Sequence, residues 1–266
     1  MPVIVVDPWQ RTPPRHPHTV PPVEDLVGTL DAHRAEDTIL VCAPGDAARH
    51  ARMARAVVGR ANVGVLVLDP VPTRRWIVEQ LLSMLPVDGY RYASSIVDAT
   101  NAAMRTSVVT TSVAGFTAPR PRLAQHLRSW FPGACFEVDL HAKTVRSSAG
   151  ASWDLRAMPL VAVAQRGNGR QKVTGVHWPA EPFTLEGPPG ESPWPAKSWF
   201  EVSALSQTPH QIFEHVRWHA PTVTCSLCHR LTGGAECIFC GVPVYASPAV
   251  VAPANPVIEQ YGVVNA

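Results

Sequence analysis

Three times in the first half of the chain, a short apolar run ends near a proline and gives way to a helical pattern. TILVCAP (38–44) leads into GDAARHARMARAVVG, VGVLVLDP (63–70) into VPTRRWIVEQLLSMLP, and SVVTTSVAGFTAP (107–119) into RPRLAQHLRSWFPG. The runs are rich in Val, Ile and Thr, whose branched side chains suit a pleated surface. In the second helical segment Ile77, Leu81, Leu82 and Leu85 share one face. Strands alternating with helices of this length constrain the fold strongly, because parallel pairing needs a crossover and the helix supplies it. The predicted fold class is α/β, with mostly parallel βα units. VIVVDP (3–8) reads as an additional strand.

From Cys135 onward the pattern changes. FEVDLHAKTVRS, WDLRAMPLVAVAQ and KVTGVHW alternate or run apolar at strand lengths, with AGAS and RGNGR as turns. This predicts a β-rich, antiparallel extension. The stretch 179–197 is dense in Pro and Gly and reads as a linker or long loop. TPHQIFEHVRWHA (208–220) predicts a helix with Thr208 as N-cap and Pro209 in its first turn. The expected divisions are an N-terminal strand and proline-rich arm (1–22), an α/β domain with its β extension (23–180), a linker and helix (181–222), a small cysteine module (223–245) and an extended tail (246–266).

The cysteine module is CSLCHRLTGGAECIFCG (225–241), two Cys-x-x-Cys pairs separated by HRLTGGAE. A Cys-x-x-Cys turn points two sulfurs at one metal, and a second turn completes a tetrahedral shell. Gly233-Gly234 is the expected hairpin turn between the pairs, and Gly241 frees the backbone after the second. The segment resembles the zinc-ribbon and zinc-knuckle class, over residues 223–245 alone. The resemblance implies one structural zinc held by Cys225, Cys228, Cys237 and Cys240. A pair of redox dithiols is the alternative. Cys225-x-x-Cys228-His229 also matches the c-type haem attachment pattern, which would leave the second pair unexplained. Losing the metal is expected to unfold the module and leave the α/β body folded. Leu227, Ile238 and Phe239 lie inside the turns; they are either docked on the helix at 208–220 or offered to a partner.

Charged residues make up 17% of the 266-residue chain and the formal net charge is +2, so no global field draws in nucleic acid or an anionic membrane. There is no secretory pattern at the N-terminus and no apolar run of about 18 residues, so the expectation is a cytoplasmic protein with no membrane association. In a reducing compartment clustered cysteines serve metals more often than disulfides.

Other motifs fall short of the chemistry they suggest. His215 and His219 are spaced i, i+4, but HExxH needs Glu where Val216 stands. The expected helix packs Ile212, Phe213 and Trp218, with its histidines toward solvent or the cysteine module. CAPGDAAR (42–49) is a strand-to-helix junction without Gly-Lys-Ser/Thr, and Cys42 to Arg49 is one residue too long for a phosphatase loop. Cys42 and Cys135 read as buried small hydrophobes. Arg49, Arg52, Arg55 and Arg60, with Arg74 and Arg75, read as a solvated basic face, with phosphate contact as the alternative. Trp178, Trp194 and Trp199 read as pins for the proline-rich loop.

Two functions remain. The first is a non-enzymatic zinc-binding adaptor, its ribbon docking a protein partner in preference to nucleic acid. The alternative is a divergent α/β enzyme or nucleotide-binding domain, its site at the strand ends near 42–49 and 69–75, where Asp46 and Asp69 lie.

Overall fold

The computed structural model describes residues 3–5, 21–34, 36–86, 88–147, 151–179, 182–186 and 194–244. The proline-rich arm, the glycine-rich middle of the 179–197 stretch and the C-terminal tail lie outside the described residues. Within them the α/β class holds, in two larger sheets and one two-stranded hairpin.

The first sheet is three-stranded and parallel: β1 (Val3–Val5), β2 (Thr38–Cys42) and β3 (Val63–Val67), in that order. The crossovers are helical, with α1 (Val23–Ala32) before β2 and α2 (Asp46–Val58) between β2 and β3. The side chains of β2 alternate between two cores. Leu40 and Cys42 join Leu26, Leu30 and the alanines of α2, whereas Ile39 and Val41 face the opposite side. Small side chains at Ala47, Ala51 and Ala54 suit the face of α2 that is buried. The helix stops at Gly59, whose φ of 64° is the left-handed cap that glycine adopts without a Cβ penalty.

On that opposite side lies α3 (Pro72–Ser83), packed against β1 and against two strands of a second sheet. A helix between two sheets must be buried nearly all round. Ile77, Val78, Leu81 and Leu82 are buried, and so are Arg75 and Glu79, which form an ion pair at 3.2 Å. α4 (Ala93–Ala103) and α6 (Pro209–His219) pack together in the same layer.

The second sheet has six strands, β4 (Met104–Thr110), β5 (Phe136–Asp139), β6 (Thr144–Ser147), β7 (Leu160–Arg166), β8 (Phe183–Glu186) and β9 (Trp199–Leu205), ordered β6-β5-β4-β9-β7-β8. The run expected to extend the parallel sheet is β4, which instead pairs antiparallel with β5 and β9. A short helix, α5 (Leu123–Arg128), joins β4 to β5. The centre of the sheet is β9, a strand with no counterpart in the sequence-based divisions; it lies in what read as linker. All seven of its residues are buried. Phe200, Val202 and Ala204 meet a cover formed by Trp153, Leu155, Met158 and Trp178. Trp199, Glu201, Ser203 and Leu205 point the other way by the strand's period of two.

The cysteine module closes the α3 side of the molecule. β10 (Val223–Thr224) pairs with β11 (Leu231–Thr232), so the hairpin turn is the first Cys-x-x-Cys and not Gly233-Gly234. Those two glycines follow β11 and press against residues 91–95. The Gly233 N–H donates to Arg91 O at 2.8 Å, and a Cβ at Gly233 would stand 2.6 Å from Ser95 Oγ.

Candidate functional site

Both Cys-x-x-Cys segments form compact turns. In the first, His229 N–H donates to Cys225 O and Cys225 N–H to Arg230 O; in the second, Gly241 N–H donates to Cys237 O and Cys237 N–H to Val242 O. Gly241 takes φ 73° there, as anticipated for the residue after the second pair. The turns bring all four Sγ atoms within 4.8 Å of one another, with Cys225–Cys240 at 3.5 Å and Cys228–Cys237 at 3.6 Å. A tetrahedral zinc with bonds of about 2.3 Å would set its sulfurs about 3.8 Å apart, so the donor set fits that ion. Backbone N–H groups of Cys228 and Leu227 hold the Cys225 thiol down at about 6, while burial pushes Cys240 up to about 12 and Cys228 upward.

The surroundings of this cluster correct the adaptor reading. Ile238 and Phe239 are not offered outward. Both are buried in the main core with Ile39, Ile77, Leu81 and Ile212. Ile238 O accepts the Val65 N–H of β3 at 2.8 Å, and Arg55 Nη1 donates to Phe239 O at 3.0 Å. The Phe239 ring meets Tyr90 edge-on and carries the Arg230 guanidinium 4.5 Å from its centroid. Leu227 alone of the three is exposed. Ile238 and Phe239 thus make the module a wall of the α/β body.

The loops at 42–49 and 69–75 follow neighbouring parallel strands, and Cys42 pairs in register with Val67. Their two aspartates are held by local bonds. Asp46 pairs with Arg49 on the surface at 3.0 Å. Asp69 accepts the Val71 N–H at 2.9 Å and pairs with Arg74 at 3.0 Å. The arginines are divided among separate tasks: Arg55 binds the cysteine module, Arg60 donates to Leu30 O and His33 O, and Arg74 reaches Asn101. Cys42 and Cys135 are buried as expected. On α6, Ile212 and Val216 face the core while Trp218 is exposed and bonds Glu214, correcting the expected packing of that indole. His215 and His219 stack with ring centroids 4.6 Å apart.

Beneath the 69–75 loop lies a group that sequence reasoning missed. Glu201 projects from β9 at the N-terminal turn of α3. Its Oε1 accepts the N–H of Thr73 at 2.8 Å and the Thr73 hydroxyl; its Oε2 accepts Trp194 Nε1–H at 2.6 Å. Hydroxyl contacts continue from Thr73 to Ser203 (2.6 Å) and from Ser203 to Thr106 (2.7 Å), its partner across the sheet. Full burial pushes the Glu201 carboxyl up to about 7, against the three donors that pull it down, and the charge of Asp69 adds to the rise. The α3 N-terminus, a natural anion site, is thus filled by the chain's own carboxylate.

An open cleft lies at one end of the large sheet. β4 and β7 both pair antiparallel with β9, so their C-terminal ends meet the start of β9. There Thr111 and Ser112, Asn168, and Pro195–Lys197 converge with residues 129–134 after α5 around a cleft of about 820 Å³. Trp130 and Phe131 are among its lining residues, and Lys197 is the one charged residue there. A second hollow of about 500 Å³ lies on the other side of residues 131–134, lined also by Leu127 and Arg128.

No protein-family model matches the chain, and no curated protein matches it. Among solved structures it is similar to a DegV family protein from Eubacterium eligens loaded with heptadecanoic acid (13% identity over 70% of this chain and 78% of that one, TM-score 0.45). It is also similar to the Streptococcus pneumoniae fatty acid kinase (Fak) B3 protein loaded with linoleic acid (10%, 70% and 77%, TM-score 0.39). A DegV family protein from Corynebacterium glutamicum is a third (10%, 78% and 97%, TM-score 0.43). Two of these proteins are described with bound fatty acids; likenesses at these scores carry neither ligand nor mechanism to this chain.

Proposed function

We propose that this chain is a ligand-binding α/β protein whose cleft at the end of the large sheet takes a small anionic amphiphile. The supporting observation is the lining, which combines the aromatic Trp130 and Phe131, the hydroxyl residues Thr111, Ser112 and Ser129, and Lys197 with no acidic residue among them. A volume of this size matches the roughly 300–1,000 Å³ of typical small-molecule sites. The rings would bury the apolar part of the ligand, and the ammonium and hydroxyls would hold its charged end. Thermal unfolding with decanoate and with decanol, equal in chain length, is the test. Decanoate should raise the melting temperature more than decanol. Equal shifts, or none, would remove the anionic-ligand reading.

The four cysteines, in the same proposal, hold one structural zinc that fixes the module against β3. Four protein sulfurs close the shell and leave no position for water or substrate. The expectation is one zinc per chain by metal analysis, lost in Cys237→Ser; iron or covalent haem in its place would overturn the assignment. Four cysteines clustered at one metal site suit a reducing cytoplasmic setting. Among the described residues no helix is long and apolar enough to cross a membrane.

A further inference from the structure

α5 is amphipathic in the reverse sense. Leu123, Leu127, Trp130 and Phe131 recur at i, i+4, i+7 and i+8 along the helix and the tight turn that continues it, which places them on one face. That face points to solvent: Leu123 and Trp130 are each 76% exposed and Phe131 67%. Two polar side chains tie this segment to the body. Gln125 Nε2 donates to Val145 O at 2.7 Å, and the Val113 N–H donates to Ser129 Oγ at 3.0 Å. No residue of α5 is buried. A chain that turns four large apolar groups outward and anchors their helix by its polar side is presenting that stripe to something.

The charge around the stripe says what. Arg120, Arg122 and Arg128 flank it, all exposed, and Lys143 and Arg146 are exposed on the neighbouring β6 hairpin to which Gln125 is bonded. Between Asp98 and Glu137 the chain has no acidic residue. The two carboxylates on adjacent β5 are engaged elsewhere, Glu137 with Trp153 Nε1 and Asp139 with the amides of His141 and Ala142. A second copy of this chain would set arginine against arginine across a two-fold axis. We infer that residues 120–131 form a peripheral docking surface for an anionic lipid membrane, the stripe entering the headgroup boundary and the arginines meeting lipid phosphates. This departs from the expectation of no membrane association, which rested on the net charge of the whole chain; the field that matters is local. The same segment walls the ligand cleft, so docking would set the cleft mouth at the lipid surface.

The test is flotation of the full chain with vesicles of phosphatidylcholine alone and with about 30% phosphatidylglycerol, at low and high salt. The anionic vesicles should carry the protein and the neutral ones much less, with salt weakening the association. Leu123→Glu and Arg122→Glu should each weaken it at least about tenfold. Both residues are exposed and neither lines the cleft, so folding and the decanoate shift should persist in both variants. Loss of vesicle binding with that shift intact therefore separates the surface from the ligand site. The inference fails if the wild-type chain ignores anionic vesicles, if both variants bind them as well as wild type does, or if the variants instead abolish a dimer or the capture of an acidic protein while vesicle binding stays unchanged.

Discussion

Glu201 ties the stability of the fold to pH. Its carboxyl is raised to about 7 in the fold, from 4.5 when solvated. The native state therefore holds this proton more tightly than the unfolded chain does. The associated stability is present in full below pH 4.5 and is lost as pH rises through 7. The loss is roughly 3 kcal/mol by the linkage relation, read as a falling melting temperature across that window. Glu201→Gln should flatten the profile. It should also lower stability at pH 5, because the amide nitrogen must face either Trp194 or Thr73, both of which are donors. A wild-type melting temperature that rises between pH 5 and 7 and a Gln variant with the same slope would together refute the assignment. Phe239 gives a second test at this scale. Phe239→Ala should cost about 3 to 5 kcal/mol, since a buried ring packed on Tyr90 and Arg230 is removed. A loss below about 1 kcal/mol would return the ring to the surface and restore the adaptor reading.

Among the elements, those with local punctuation were legible from sequence. α2, α3 and α6 follow their apolar spacing and their Gly, Pro and Thr signals, and Thr208 caps α6 as expected, with Gln211 completing a capping box. β9 was not legible: WFEVSAL follows a proline-rich stretch and carries a glutamate at its centre, both of which argue against a central strand. The fold tolerates Glu201 because α3 begins opposite it and supplies the donors, and nothing near 201 in sequence announces that. The sheet assignment of β4 failed for a similar reason, since a buried run pairs in either direction and its own residues do not choose the partner. α1 and α4 had gone unmarked. The cysteine spacing showed the sulfur cluster but not the surface that it docks on. The cleft was invisible because its walls come from four separate segments. Gly169 shows how closely these elements meet. A Cβ there would stand 2.1 Å from the backbone of Trp199, so Gly169→Ala should displace the turn Gly169–Lys172 from β9 and cost upwards of about 3 kcal/mol by denaturant unfolding. Wild-type stability in that variant would mean the turn is not seated on β9.

For the whole molecule, the two sheets share α3 and the cysteine module closes one core with Cys225, Cys237, Ile238 and Phe239. The expectation that the body outlives the metal is therefore revised. Chelation, or Cys237→Ser, should unfold the chain as a unit, with near-ultraviolet and far-ultraviolet dichroism lost together. A transition confined to the module would make it an appendage after all. The central claim concerns the cleft, and calorimetric titration of decanoate and decanol into wild type and Lys197→Ala tests it most directly. The cleft assignment predicts that the substitution weakens decanoate about tenfold or more, as for losing a charged hydrogen bond, and leaves decanol nearly unchanged, with a negative heat-capacity change for both ligands. Equal losses for the two ligands, or decanoate binding indifferent to Lys197, would contradict it.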